Sequence, residues 1–285
     1  MTTCIFPGQG SQKAGMWNSL FSAYPQYIEI ADEVLGYSIE QLCSDDRYHQ
    51  LTATQYTQPA LFTVCVLSYL EHLKSHSQPD HVMGHSLGEY AALYVAGVIG
   101  FADGLRLVQK RGELMAKTTQ GGMAAVIGLS AEQVADICHQ QALHSIDIAN
   151  INSYSQIVIA GPKDDILAAR AVFESQGSKM YIPLKVSGAF HSRYMNEAMQ
   201  QFSAYVATVD FKTPSIPVIA NVTAKPYVLS EVRNNITEQM VQGVRWVQSI
   251  EYMSRLGETS FIEVGPGQVL TQLTHDILST NRRAA

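Results

Sequence analysis

The order of apolar segments predicts an α/β protein in which a domain with a parallel sheet is interrupted by a smaller ferredoxin-like subdomain. Three observations carry this. Short strand-like apolar runs alternate with longer segments of helical period from the amino terminus onward. The first strand runs straight into a glycine-rich turn, PGQGSQ at 7–12, which permits unusual backbone angles and close approach to a ligand. From about 121 to 187 the pattern becomes strand, helix, strand, strand, helix, strand, the ferredoxin-like order.

In chain order, 3–6 reads as a short buried strand and 59–72 as a buried helix whose apolar face is continuous. A strand at 81–83 and a helix at 88–96 follow, then a helix over 101–117. In the inserted segment, 123–129 is a strand and 130–140 a helix, with Ser130 as N-cap and Gln133 at the capping-box position. Strands at 146–152 and 156–160 pair across a polar turn, 163–176 is the second helix and 179–184 the last strand. The larger domain resumes near His191, with returning strands at 216–220 and 260–264. The expected division is 1–120 plus 190–285 for the large domain and 121–189 for the small one.

Composition narrows the function. The chain has 285 residues, 46% hydrophobic and 15% charged, which suits one or two domains with a sizeable core. Nineteen Lys and Arg against 25 Asp and Glu give a net charge of -6, the wrong sign for a nucleic-acid binder, and no basic run offsets it. Cys4, Cys43, Cys65 and Cys138 are too widely spaced for a zinc site or a disulfide framework, so they read as reduced thiols. Apolar runs such as 60–67 are far shorter than the roughly 20 residues that cross a bilayer. The amino-terminal MTTCIFPGQGSQ lacks a basic region and fits neither a signal nor a transit peptide. A cytoplasmic protein, with no membrane or nucleic-acid partner and no metal, is expected.

GHSLG at 84–88 matches G-x-S-x-G between a short apolar strand and a helix. The glycines let the chain turn sharply enough to lift the Ser86 hydroxyl off the strand end, and the following N–H groups, Leu87 first, lie at a helix amino terminus where an oxyanion can be received. A hydroxyl needs a base before it is a useful nucleophile. His85 adjoins Ser86, so its ring points to the other side of the turn. His191, in GAFHS at 188–192, lies where the small subdomain returns to the large domain, a place where clefts form. From the residues alone His191 is equally a base or an ordinary buried histidine, and Arg111 is most simply a surface charge.

Taken together, FPGQGSQ at 6–12, GHSLGEY at 84–90, QKRGELM at 109–115, GAFHS at 188–192 and VGPGQVL at 264–270 resemble the malonyl-CoA:acyl carrier protein transacylases, in order and spacing, over essentially the whole chain. The resemblance implies an α/β-hydrolase-like large domain, a ferredoxin-like small subdomain and a cleft between them. It makes Ser86 the acyl-accepting nucleophile and His191 its base, a dyad without a carboxylate, with the imidazole oriented by the main-chain carbonyl of Gln239. The main-chain N–H groups of Leu87 and Gln9 become the oxyanion donors.

In this family an arginine holds the free carboxylate of the malonyl group, and Arg111 matches it; a guanidinium can do so through two parallel charge-assisted hydrogen bonds. Phe190 stands where malonyl-selective members carry phenylalanine and would crowd an α-methyl group. Met115, four residues from Arg111 on the same helix face, and His85 join the substrate-binding set, with core packing an equal reading of Met115. No bound cofactor is implied. Malonyl-CoA is the donor, and the acceptor is the phosphopantetheine thiol of an acyl carrier protein, serving polyketide or fatty acid synthesis. SGAFHSRYM and IANVTAKPY resemble the discrete acyltransferases of polyketide synthases that lack their own. Lys185, Arg193, Lys225 and Arg245 are candidates for a basic patch facing an acidic carrier protein, on a protein expected to be a monomer. Other readings are a hydrolase that clears acyl groups from carrier proteins, whose known members lack the arginine, a general serine esterase, and a carrier-protein docking module.

Overall fold

The computed structural model describes residues 1–16, 18–46 and 49–284. The chain opens with β1 (Thr3–Phe6), α1 (Asn18–Ala23), α2 (Pro25–Leu35), α3 (Ile39–Ser44), α4 (Thr54–His72), β2 (His81–Gly84), α5 (Gly88–Val95) and α6 (Phe101–Ala116). It continues with β3 (Gly121–Ile127), α7 (Ala131–Gln140), β4 (Asp147–Ser153), β5 (Gln156–Pro162), α8 (Lys163–Ser175) and β6 (Met180–Pro183). A 3₁₀ turn at Arg193–Met195 leads into α9 (Asn196–Val206), β7 (Val218–Ile219), α10 (Val232–Glu238), α11 (Trp246–Arg255), β8 (Phe261–Glu263) and α12 (Val269–Ala284).

Two four-stranded sheets result. The first, in the order β7-β2-β1-β8, is parallel throughout. Its central strand, TCIF, is buried at every residue, as a strand covered on both faces must be. The second, β4-β5-β3-β6, is antiparallel. Alternation along β3 divides its side chains: Ala124 and Val126 pack with Phe173 and Tyr181 in a core of their own, while Met123 and Ala125 join the main core with Phe6 and Leu87. The loop before α11 is bonded to β4 by the main chain, Ile151 N–H to Val244 O at 2.9 Å and Val244 N–H to Ala149 O at 2.9 Å.

The expected α7 cap is present: Ser130 Oγ accepts from Gln133 N at 3.2 Å, and Gln133 Oε1 accepts from Ser130 N at 2.9 Å. Most boundaries shift from expectation by one or two residues, β3 covering Gly121–Ile127 in place of 123–129, and three differences have a clear physical cause. Helix α4 begins at Thr54, not at 59, so Pro59 lies inside it. Its first turn escapes an apolar pattern because it is polar yet buried; Thr57 Oγ1, for instance, donates to Leu51 O at 2.6 Å. β7 is only two residues long, because Ala220 N–H turns to Lys225 O and leaves the ladder. β8 starts at Phe261, since Ser260 N–H is taken by the carboxylate of Glu258.

Candidate active site

The loops after β1, β2 and β7 leave the parallel sheet from its carboxyl edge, where ligand sites of open α/β sheets form. They bring Gln9, Ser86 and Asn221 towards one cavity of about 100 Å³, whose wall includes Gln9, Ser86, Leu87, Arg111, Phe190 and His191. His85 and Met115 also line it.

Ser86 sits in the left-handed region with φ 51°, a conformation that costs a non-glycine residue free energy unless its surroundings impose it. The surroundings do so here. Asn221 clamps the turn from both sides, its Oδ1 accepting from Ser86 N at 2.7 Å and its Nδ2 donating to Gly84 O at 2.6 Å. A Cβ at Gly84 would lie 2.0 Å from Gly88 C, and one at Gly88 2.0 Å from Phe6 O, so only glycine fits at either position.

His191, also left-handed at φ 57°, follows the antiparallel sheet in a turn fixed by Ser192 Oγ donating to Ala189 O at 2.5 Å. Its Nε2 lies 2.7 Å from Ser86 Oγ and its Nδ1 2.6 Å from the main-chain oxygen of Gln239. A carbonyl only accepts, so Nδ1 carries the proton and the Nε2 lone pair faces the serine hydroxyl. Burial, then the charge of Arg111, push the His191 imidazolium down to about 3, so the ring is neutral across the physiological range.

Arg111 is 1% exposed, not the surface charge its isolated sequence context suggests. Nη1 donates to Gln58 Oε1 at 2.9 Å, and Nη2 to Gln239 Oε1 at 2.8 Å and to Ser86 Oγ at 3.1 Å. The guanidinium lies over the Tyr90 ring, 5.6 Å from its centroid, a favourable place for a buried cation. Burial lowers its pKa, yet a guanidinium stays charged.

Each residue singled out from the sequence can now be placed. Among the described residues the main-chain N–H groups of Gln9 and Leu87 have no intramolecular acceptor, and both residues line the cavity. Gln9 is held by its side chain, Nε2 to Thr54 Oγ1 at 3.2 Å. His85 turns away from Ser86 Oγ: its Nε2 pairs with Asn152 Oδ1 at 2.8 Å and its ring lies against Trp246. Met115 and Phe190 are buried in the wall, and Met115 Sδ accepts from Gln58 Nε2 at 3.3 Å. Of the basic candidates, Lys185, Lys225 and Arg245 are exposed. Arg193 is exposed as well, and its guanidinium and main-chain N–H both bind the Asp147 carboxylate, so its charge is shared with an acid.

Four residues were missed. Asn221 stands just past β7, and the rule that parallel strands end at the site would have found it. Gln58 and Thr54 sit in the polar turn that opens α4. Glu89 is in the GHSLGEY motif, but nothing in its local pattern distinguishes a buried carboxylate from an ordinary first-turn acid. It is wholly buried, and accepts from Tyr227 OH, from Asn221 N at 3.1 Å and from Gln239 Nε2 at 2.8 Å.

Among the described residues no helix is long and apolar enough to cross a membrane, and no group of three or more His, Cys, Asp or Glu could hold a metal ion.

The model of the acyl transferase domain family matches residues 3–284. The chain is 52% identical over 279 residues to the polyketide biosynthesis malonyl CoA-acyl carrier protein transacylase BaeC of Bacillus velezensis, covering 97% of this chain and 96% of that protein. It is also 52% identical to the polyketide biosynthesis protein PksE of Bacillus subtilis, over 97% of this chain but only 36% of that longer relative. The fold superposes on the malonyl CoA-acyl carrier protein transacylase of Burkholderia pseudomallei with a TM-score of 0.94 at 43% identity, covering 98% of each chain. On a malonyl-transacylase in complex with its holo type II polyketide synthase acyl-carrier protein the TM-score is 0.92 at 35% identity, covering 98% of this chain and 93% of that one. A serine, an imidazole and a buried arginine gathered at one elbow, on a chain matched from end to end by that family and by relatives of this kind, lead to one assignment: this chain belongs to the acyl transferase family, among the malonyl-CoA–acyl carrier protein transacylases.

Proposed function

We propose that the protein moves a malonyl group from malonyl-CoA to the phosphopantetheine thiol of an acyl carrier protein through an ester on Ser86. The observation that carries this is the pair of contacts on one hydroxyl: a neutral imidazole 2.7 Å from Ser86 Oγ and a buried guanidinium 3.1 Å from it.

Ser86 Oγ gives its proton to His191 Nε2 and attacks the thioester carbonyl. The main-chain N–H groups of Leu87 and Gln9 receive the oxyanion, and the C–S bond breaks as His191 returns the proton to the departing CoA sulfur. Gln239 O steadies the imidazolium that exists between those transfers. The carrier-protein thiol then gives its proton to His191 and attacks the ester carbonyl; the C–O bond to Ser86 breaks as His191 returns the proton to Ser86 Oγ, and the malonyl group leaves as the carrier thioester. Thioester, oxyester and thioester are close in free energy, so the ester has to be kept from water by positioning. Arg111 does this by holding the distal carboxylate, with Phe190 limiting the space beside the α-carbon and Met115 and His85 completing the wall.

The hydrolase alternative has less support, because the arginine its members lack is present and buried against the nucleophile. Relatives named for polyketide biosynthesis favour that pathway over fatty acid synthesis. Lys185, Lys225 and Arg245 remain the basic side chains offered to a carrier protein. Residues 1–120 and 190–285 form an α/β-hydrolase-like catalytic domain, with 121–189 inserted as a ferredoxin-like subdomain; the strand order β4-β5-β3-β6 supports that division. On this reading the protein works as a monomer in the cytoplasm, and four free cysteines agree with that location.

Intact-mass spectrometry with malonyl-CoA tests the reading. One malonyl group is expected on the wild-type protein and none on Ser86→Ala; a labelled Ser86→Ala protein would overturn it. Faster release to water than to a carrier protein would favour the hydrolase.

A further inference from the structure

We infer that Glu89 is a positioning residue for malonyl loading: its carboxylate fixes the Gln239 side-chain amide, and through it the Arg111 guanidinium, beside Ser86. This rests on the malonyl-transfer reading and adds to it a group that touches neither substrate nor reacting atoms.

The geometry leaves Gln239 a single orientation. Its Nε2 has two acceptors, Glu89 Oε2 at 2.8 Å and Ser86 O at 2.9 Å, while its Oε1 receives Arg111 Nη2 at 2.8 Å. The main chain of the same residue carries the oxygen that meets His191 Nδ1. A half-turn of the amide would set an NH₂ group against the guanidinium and a carbonyl against the carboxylate, losing both charge-assisted bonds. An ionised Glu89, which can only accept, prevents that turn. Its other contacts are also donors, Tyr227 OH and Asn221 N–H, and Asn221 is the residue that clamps the serine turn. Glu89 thus joins three parts of the site: the elbow, the arginine and the residue behind the histidine.

Charge follows the same line. The groups facing the Glu89 carboxylate are Tyr227, Gln239 and Asn221 as donors, Arg111 on α6 as its countercharge, and Tyr90 one residue along α5. Burial raises Glu89 to about 7, with Tyr227, Gln239, Asn221 and Arg111 acting in the opposite sense. A protonated Glu89 would bring a hydroxyl among three donors, so that either the Tyr227 hydroxyl turns to accept it or Gln239 turns, and in both cases the amide loses the full negative charge that fixes it. Loading by malonyl-CoA should therefore weaken as pH falls through that region, whereas His191, held near 3, stays neutral throughout.

The test is the single-turnover rate of Ser86 acylation, read by intact mass from about pH 5.5 to about 9, with malonyl-CoA and with acetyl-CoA. Wild-type loading by malonyl-CoA tests the parent reading. The inference is tested by Glu89→Gln, an uncharged near-isostere that resembles the protonated acid. It should slow malonyl loading at least about tenfold at high pH, abolish the acid limb, and slow acetyl loading less, because acetyl does not use Arg111. Should that variant fail to fold, Tyr227→Phe removes one donor from the carboxylate and should move the acid limb of malonyl loading to higher pH, by about one unit. If wild-type protein loads normally, an unchanged malonyl-to-acetyl ratio in Glu89→Gln, or an acid limb that stays in place in Tyr227→Phe, would overturn the positioning role and leave the transfer reading intact.

Discussion

Arg111 Nη2 and His191 Nε2 meet on one atom, Ser86 Oγ, at 3.1 Å and 2.7 Å, so the cation assigned to the substrate's carboxylate already holds the nucleophile before a substrate arrives. A carboxylate entering the cavity competes for that guanidinium, frees a serine lone pair, and offsets part of the positive charge that depresses the imidazole. A neutral acyl group offers no such exchange.

Arg111→Ala should therefore lose malonyl loading by about a hundredfold or more, in line with the roughly 2–5 kcal/mol that follows truncation of one partner in a buried charge pair, while acetyl loading falls less. Arg111→Lys should not restore malonyl loading, since a point charge cannot reach Gln58, Gln239 and a carboxylate together. Loading rates for the two donors settle the matter; equal losses would remove Arg111 from acyl selection.

Asn221→Ala should leave the protein folded and reduce the rate of Ser86 acylation by about tenfold or more, with little change in the concentration of donor needed for half-saturation. It deletes the two bonds that hold Ser86 at positive φ without touching the acyl cavity. Thermal melting together with single-turnover kinetics separates this outcome from general destabilisation.

Phe190→Ala should admit methylmalonyl-CoA, raising its loading relative to malonyl-CoA by about tenfold. The ring is buried in the wall of the cavity, so the variant should also be less stable, by about 3–5 kcal/mol if the space stays empty. Paired loading assays and a denaturant titration read both effects.

The elbow should resist any side chain. Gly88→Ala would force a methyl group to 2.0 Å from Phe6 O, where β1 and α5 meet, so a loss of about 3 kcal/mol or more, or failure to accumulate as soluble protein, is expected.

Stability against pH should carry the mark of His191. Its imidazolium is favoured in the unfolded chain and opposed in the fold, where the pKa falls from 6.5 to about 3. Between those values the unfolded state binds more protons, so stability rises with pH across that window and is lost on acidification. Glu89, raised from 4.5 to about 7, acts in the reverse sense over the interval between its own two values. His191→Gln should therefore destabilise the protein less on acidification than is seen in the wild type, as melting temperatures between about pH 4 and about 7 would show.

Periodicity and turn chemistry made most of this architecture readable. The alternating strands, the Ser130 cap and the order of elements from β3 to β6 all arise from local preference or from side chains facing one way. The G-x-S-x-G turn was legible because its glycines answer a crowding that belongs to the motif itself. What could not be read locally were roles created by distant pairing. Arg111 has a polar helix pattern around it, and only its packing over Tyr90 and between Gln58 and Gln239 makes it a buried cation. Glu89 likewise gains its meaning from Tyr227 and Asn221, more than 130 positions away. Arg193 is exposed, and only the fold brings Asp147, 46 positions away in sequence, against it.

The antiparallel sheet is not free to act as a lid. Met123, Ala125, Ala149, Val158 and Ala160 are buried in the same core as the parallel sheet's helices, and Val244 is bonded into β4. Swinging that layer aside would wet its apolar underside and break main-chain bonds. Whatever reaches the serine must therefore fit past that layer where it stands, with no room to be gained by lifting it.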